Sequence, residues 1–385
     1  MRAPHPLVLG LTLQLLLPLT SVAQVRAGVP VEGFPNWEER VLLVLTNRAR
    51  ADPQADLADC PADHCAERAC YTQPSRPLAW SLPLNRAARL HASTLQDAGT
   101  LDHRSPCALH GDIAARYLPE GSCEGSVACA CVGGVAACGD AGCTDPFDRM
   151  GRFGVGGTRA ENLAAGQTTP REAFYAWLWE PAASVSCAFG AENGHRFNIL
   201  NPGLEGLGAG ALPGGAIWVQ DFGPARLEGT LIAGAHEPKH GGDATSFRVN
   251  VQAPERPLTR AWVNVGGLCH DLRLERGSLD NGTWLATAPV PTSGCTRYLF
   301  TVVTEAGARM SLPEAGSYGV GAPACADWSE ELPAPCEGGA IPPPEGDVGC
   351  GCGSGPAGAG PGLGGLAALI AWRWLGRRRP ARRRA

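Results

Sequence analysis

Lysine is almost missing from this 385-residue chain: Lys239 is the only one, and arginine carries the rest of the cationic load. The net charge is -5, and no basic stripe with interleaved aromatics occurs outside the last residues. Nucleic acid is therefore not an expected partner. No apolar run reaches the roughly 20 residues of a stable membrane span. The Gly-x-Ser-x-Gly elbow of many serine hydrolases is missing too. A nucleophilic serine needs a base within reach and an oxyanion hole, so Ser105, although close to His103, does not read as one.

What is present begins with an address. Arg2 supplies a positive first region, residues 7–19 are almost wholly apolar, and Ser21-Val22-Ala23 is a small-x-small cleavage site. Residues 1–23 thus read as a signal peptide. Export makes disulfides the expected state of the 16 cysteines. In the closely spaced set Cys123, Cys129, Cys131, Cys138 and Cys143, a disulfide-tied loop is preferred over a zinc knuckle. The same holds for Cys60, Cys65 and Cys70. The other end has Cys350 and Cys352 in a glycine-rich stretch, then an apolar segment interrupted by Arg373, then clustered arginines. Arginines after an apolar segment hold a tail on the cytoplasmic side. Residues 363–385 resemble the C-terminal sorting signal of myxobacterial surface proteins (MYXO-CTERM). That resemblance implies cleavage near the cysteine and attachment at the cell surface. A permanent transmembrane helix is the alternative.

Between these ends the chain is long enough for two domains, with a boundary near Phe222-Gly223-Pro224. Asn36 is an N-cap with Glu39 at capping-box spacing, opening a helix whose apolar face includes Val41, Leu42, Leu45 and Ala49. A second helix starts at Pro83 and places Leu84, Ala88, His91 and Leu95 on one stripe, with Gly99 as its stop. A third runs from Thr169, a fourth from Gly194 or His195, and a hairpin follows over 206–222. After the boundary, runs such as 246–252, 260–265 and 298–303 alternate apolar and polar residues, with a turn at Asp280-Asn281-Gly282. That pattern predicts a small all-β, Ig-like sandwich over 224–322, with Cys269 paired to Cys295. Residues 323–362 read as a Pro/Gly-rich linker, with Cys325 and Cys336 closing a small loop.

Four residues stand in informative stretches: His103 in Leu-Asp-His-Arg-Ser-Pro, Glu161 in Ala-Glu-Asn-Leu, Glu180 in Ala-Trp-Leu-Trp-Glu, and His195 in Gly-His-Arg-Phe-Asn-Ile-Leu. Together with Pro-Leu-Ala-Trp-Ser at 77–81 and Trp-Val-Gln-Asp-Phe-Gly at 218–223, they resemble, in order, the CAP superfamily (SCP domains; cysteine-rich secretory, antigen 5 and pathogenesis-related proteins). The resemblance covers about residues 37–222, within a CAP domain placed at 36–223. It implies an α+β fold, a three-layer α-β-α sandwich, with His103, His195, Glu161 and Glu180 lining one cleft. This chain departs from the family in having Ala160 where glycine is usual. It also carries a cysteine-rich insertion over 107–143 and a second over 181–193 that includes Cys187. Asn162 and Asn198 read as loop-fixing residues. His91 reads as core, and His110, His236, His240 and His270 lie outside these stretches and read as ordinary.

Two imidazoles with nearby carboxylates suit zinc or another divalent cation, with water in an open position. The expected function is a secreted, surface-attached binding protein whose cleft holds the metal and an extracellular polymer, lipid or protein partner. The second reading is a metal-dependent extracellular peptidase, with His103 and His195 as ligands and Glu161 or Glu180 as base.

Overall fold

The computed structural model describes residues 26–336, apart from 62, 118–126, 135–141, 183–184, 213–215, 228 and 256–257. The stretch expected to be a signal peptide, the expected linker after Cys336 with Cys350 and Cys352, the apolar segment and the arginine tail lie outside the described residues. Among those described, no helix is long and apolar enough to cross a membrane.

The first region contains α1 (Trp37–Ala51), α2 (Pro53–Leu57), β1 (Ala79–Trp80), α3 (Leu82–Ala98), α4 (Ile113–Arg116), α5 (Val127–Ala130), α6 (Pro146–Arg152), β2 (Ala160–Ala165), α7 (Pro170–Leu178), α8 (Gly194–Leu200), β3 (Gly206–Ala211) and β4 (Ile217–Gly223). The capping box at Asn36 and Glu39 is fully formed: each side chain accepts the other's backbone N–H. In α3 the stripe residues Leu84, Ala88, His91 and Leu95 are all buried, and Gly99 ends the helix at φ 65°. Thr169 caps α7 by accepting from Glu172 N at 3.1 Å.

Strands β1-β3-β4-β2 form one sheet, antiparallel except for the parallel β1–β3 pair. Helix α3 covers one face; α1, α7 and α8 cover the other, which makes three layers. The close approach of α3 explains two glycines of β3. A Cβ on Gly208 would lie 2.0 Å from Asn85 N, and one on Gly210 would lie 2.4 Å from Ala88 O. Ala160 causes no difficulty. It is ordinary strand, and Glu32 is the only non-glycine residue with positive φ among those described.

The second region is two packed antiparallel sheets. One is β5 (Leu231–Glu237), β6 (Gly242–Gln252), β10 (Asn281–Val290) and β9 (Arg273–Gly277), in that order. The other runs β14 (Trp328–Ser329), β13 (Ser317–Gly321), β11 (Cys295–Thr304), β7 (Leu258–Val265) and β8 (Leu268–Asp271), with β12 (Arg309–Leu312) also on β11. Phe247, Val249, Val263, Tyr298 and Phe300 fill the space between them.

The pairing expected between Cys269 and Cys295 does not form. Strand β7 lies between the strands that carry them. Two strand spacings are about 9–10 Å, beyond the Cα separation a disulfide spans. Cys269 instead bonds Cys336, and Cys295 bonds Cys325, which also rules out the expected Cys325–Cys336 loop. Consequently the stretch expected to be linker from Pro323 is held on the sandwich as far as Cys336. Within it, β14 extends the sheet and Ala334 O accepts from Asn264 Nδ2 at 2.8 Å.

The two regions share a core. Ala233 and Ala235 of β5 are buried with the residues of α1, and Trp37 Nε1 donates to His236 O at 2.9 Å. A largely buried charge network crosses the same junction. Arg48 of α1 meets Asp56 at 2.7 Å and Glu275 at 3.3 Å, while Arg171 of α7 meets Glu237 at 2.7 Å. Arg248 joins Glu275 at 3.0 Å and Glu237 at 3.1 Å. The sandwich therefore braces α7, the helix that leads into Glu180.

Candidate functional site

A strand turns successive side chains to opposite faces. In β2 this sends Glu161 towards the α3 layer and Asn162 towards the α1 and α8 layer. On the second face Asn162 Nδ2 donates to His195 O and to Gln220 Oε1, each at 3.2 Å, and Gln220 Nε2 donates to Thr46 Oγ1 at 3.0 Å. Asn198 Nδ2 donates to Glu161 O at 3.2 Å and to Asn162 Oδ1 at 3.0 Å. These amides tie α8 to β2, so the helix bearing His195 is anchored beside the strand bearing Glu161.

His103, Glu161, Glu180 and His195 all line a single cleft of about 580 Å³. They form two histidine–glutamate pairs. His103 Nδ1 bonds Glu161 Oε1 at 2.8 Å, and His195 Nδ1 bonds Glu180 Oε2 at 2.7 Å. The carboxylates are the buried members: the Glu161 side chain is 2% exposed and the His103 side chain 53%. Each carboxylate has a further partner. Glu161 Oε2 accepts from the buried Arg149 guanidinium, and Glu180 Oε1 accepts from Arg196 N at 2.8 Å. Arg149 also donates to Ser105 Oγ at 2.9 Å and to His103 O at 3.2 Å. That places Ser105 in a structural contact. Arg196 is wholly buried and holds Leu178 O at 2.7 Å, together with Glu180 O and Glu67.

The electrostatics follow from this arrangement. Burial is the largest influence on the Glu161 carboxyl and would raise it, but the Arg149 guanidinium, His91 and the bonds to His103 and Asp221 together hold it well below its ordinary range. Asp221 faces Glu161 in the β2–β4 register. Its carboxyl is pushed well above the ordinary range, first by burial and then by the charge of Glu161. His91 sits behind them with Nε2 against Asp102 O at 2.9 Å. Burial, then Arg149, lowers its pKa to about 3, which keeps it a neutral core residue.

With Nδ1 of each ring engaged by a carboxylate, Nε2 is the atom left for chemistry. A carboxylate on one ring nitrogen fixes the tautomer and raises the basicity of the other, the usual outer arrangement of a histidine metal ligand. Nε2 of each ring is thus the atom open to a cation, with the glutamate on Nδ1 orienting the ring. The set does not offer four joint ligands. Among the described residues, no group of three or more His, Cys, Asp or Glu side chains is placed to share an ion. The physical reason is that Glu161 and Glu180 spend their oxygens on Nδ1 atoms, on Arg149 and on the backbone of Arg196.

The described cysteines of the cysteine-rich insertion offer no thiolates either; Cys123 and Cys138 lie outside the described residues. Cys107 bonds Cys131, and Cys129 and Cys143 are also in disulfides. Cys60 bonds Cys65, and Cys70 reaches Cys187 in the second insertion. Residues 236–240 spell His-Glu-Pro-Lys-His, a string that on a helix would put two imidazoles on one face. Here it ends β5 and enters a turn. His236 is buried with both ring nitrogens bonded, to Tyr298 Oη and Lys239 O, and Glu237 is paired with Arg171. It is part of the junction.

Arg149, Arg196 and Asp221 escape sequence reasoning, because a buried arginine or aspartate looks like any charged residue in a string. Phe147 and Phe189, which also line the cleft, gave no periodic signal.

Residues 45–222 match the model of the family described as the cysteine-rich secretory protein family, CAP. The uncharacterized protein YkwD of Bacillus subtilis (strain 168) is 30% identical over 148 residues, 38% of this chain and 39% of the relative. The match thus spans well under half of that relative's length. An extracellular protein containing an SCP domain from Bacillus anthracis str. Ames, solved by crystallography, is 20% identical, with a TM-score of 0.29 over 49% of this chain and 40% of that one.

Proposed function

We propose that the CAP domain carried by residues 45–222 belongs to an exported, surface-attached protein. In this reading its cleft holds zinc or another divalent cation on His103 and His195 and presents it to an extracellular ligand. The observation that carries the reading is the pair of histidine–glutamate couples lining one cleft, each with Nδ1 engaged and Nε2 left over. Such a cation would supply a Lewis-acid centre for a ligand oxygen. Binding is favoured over peptide hydrolysis because both carboxylates are committed. A base must take up a proton readily, whereas the lowered pKa of Glu161 beside Arg149 makes it a weak proton acceptor and Glu180 is shared between a ring and a backbone amide.

Export is supported by the leader-like residues 1–23 and by the many disulfides, which persist in oxidising compartments. Surface attachment rests on the resemblance of residues 363–385 to the myxobacterial sorting signal. Mass spectrometry of the mature C-terminus tests it: an intact arginine tail refutes cleavage. For the cleft, elemental analysis and calorimetry of the purified protein should find about one equivalent of zinc, lost in His103→Ala/His195→Ala with unchanged circular dichroism. No uptake after zinc incubation, or full uptake by the double variant, refutes the reading.

A further inference from the structure

A cavity of about 450 Å³ lies at the junction of the two regions and shares no lining residue with the histidine cleft. Three parts of the chain wall it: the stretch 26–35 that precedes α1, the start of α3 together with β1, and the passage from Ala225 into β5. Its volume falls in the roughly 300–1,000 Å³ range of small-molecule sites. The apolar lining includes Val29, Val31, Phe34, Leu82, Leu227 and Ile232, all half-buried. Large apolar side chains that keep part of their surface bare around one hollow gain by having it covered.

The wall formed by 26–35 is fixed at several points. Ala27 N donates to Glu314 Oε2 at 2.9 Å, and Glu314 N donates back to Ala27 O at 2.8 Å. Tyr318 Oη donates to Gly28 O at 2.8 Å. Val31 and Phe34 exchange backbone hydrogen bonds at 2.9 and 3.0 Å, and Glu32 meets Arg86 of α3 at 2.7 Å. The hollow is thus built into the fold, and little ordering remains to oppose binding.

The polar groups of the lining are mostly donors. It contains Arg26, Arg40 and Arg226 but no Asp or Glu. Two donors on its walls are shut off from solvent and have no hydrogen-bond partner among the described residues: Arg40 Nε and Trp80 Nε1. Arg40 is 2% exposed, and its two outer nitrogens each hold Asp327 at 2.6 Å. A buried donor left unbonded is costly, so these atoms call for an acceptor. Arg26 and Arg226 are exposed and stand at the rim, where they favour an anion. Side-chain acceptors are limited to the hydroxyls of Ser81 and Tyr318, and the carbonyls of Arg26, Ala27, Gly28, Val31, Phe34 and Pro35 already accept. A peptide or a sugar brings several donors of its own, for which these walls hold few acceptors. An alkyl chain that ends in one anionic acceptor group matches them.

We infer that this junction cavity binds one unbranched long-chain carboxylate, its alkyl chain among Val31, Phe34, Leu227 and Ile232 and its head accepting from Trp80 Nε1 beside the lining arginines. The test is equilibrium dialysis of the intact exported protein below micelle-forming concentrations. EDTA is present throughout, so that the histidine pair plays no part. The probes are octanoate, decanoate, dodecanoate, dodecan-1-ol, dodecyltrimethylammonium and acetyl-Leu-Leu-Leu amide.

Dodecanoate should saturate at about one equivalent and bind about tenfold or more tighter than the alcohol or the ammonium. Each two carbons added from octanoate to dodecanoate should tighten binding roughly tenfold. Arg26→Gln/Arg226→Gln, at exposed positions, should bring the acid down to the alcohol. Trp80→Phe keeps an aromatic ring but removes the donor, and should weaken the acid about fivefold or more. Val29→Trp fills the hollow and should abolish uptake of every probe, with unchanged circular dichroism. No uptake of dodecanoate, or equal binding of acid, alcohol and ammonium, overturns the inference. So does an acid preference that survives the arginine or the Trp80 change, tighter binding of the tripeptide, or uptake that Val29→Trp leaves intact. If Val29→Trp does not fold, the acid preference of the arginine variant decides alone.

Discussion

Arg149→Met removes the single positive charge that makes the cleft's inner carboxylate tolerable. The pair is fully internal, with side-chain exposures of 0% for Arg149 and 2% for Glu161. Losing one member of a buried pair costs about 3–5 kcal/mol, because the other is left charged and unpaired. At the usual 2–4 °C per kcal/mol, melting should fall by about 6–20 °C. The pH dependence should also change sign. In the native protein Glu161 lies below its ordinary 4.5, so it contributes stability present above that value and lost as pH falls through the folded pKa. Without Arg149, burial dominates and the carboxyl is raised. Its contribution is then present below the ordinary value and lost as pH rises. Urea denaturation at a series of pH values between 4 and 8 is the assay, with Glu161→Gln and the double variant completing the cycle. The double variant should recover part of the loss, because it leaves no bare charge. An additive cycle with an unchanged pH slope would refute the account of Glu161 as an Arg149-dependent buried anion.

Three further outcomes follow from other parts of the fold. Glu39 is buried in the α1 cap, and burial pushes its carboxyl up to about 8 against its ordinary 4.5. Its stabilising effect is complete below 4.5 and lost as pH rises towards 8, so Glu39→Gln, which keeps the cap acceptor, should gain about 1 kcal/mol or more at pH 8 relative to pH 5. Equal denaturation curves at both pH values would contradict this. Gly208→Ala puts a methyl group 2.0 Å from Asn85 N of α3. It should lower stability by several kcal/mol or abolish secretion, whereas a native melting temperature would show that α3 can retreat. A chain ending at Gly223 bares the face of α1 that covers Ala233 and Ala235 and leaves Arg48 without Glu275. It should aggregate, and a monodisperse fragment with native near-ultraviolet circular dichroism would refute the shared core.

Local rules made much of the chain legible. The Asn36 box, Pro83, Thr169 and Gly99 are signals read within one helical turn, and the structure has a helix boundary at each. The alternating runs after residue 224 likewise found strands, because a half-buried strand writes its two faces into successive residues. The motif order carried the resemblance that the family match over 45–222 bears out. Pairings across the sheet were not legible. Cys269 and Cys295 look like natural partners along the chain, and only the strand order puts β7 between them.

The sequence alone determined the four longest-signalled helices, the hairpin after them and several strands of the sandwich, that cysteines would be oxidised, and that two histidines and two acids belong to recurring stretches. These are properties of neighbours on the chain and of residue chemistry. The same string held no reading of α6 or β2, which carry Arg149 and Glu161. Tertiary structure decided that each acid bonds the Nδ1 of one ring, that Arg149 and Asp221 stand against Glu161, and that the sandwich shares a core with the first region. Those outcomes depend on burial and on distances between residues far apart in the chain, and neither quantity exists until the chain has folded.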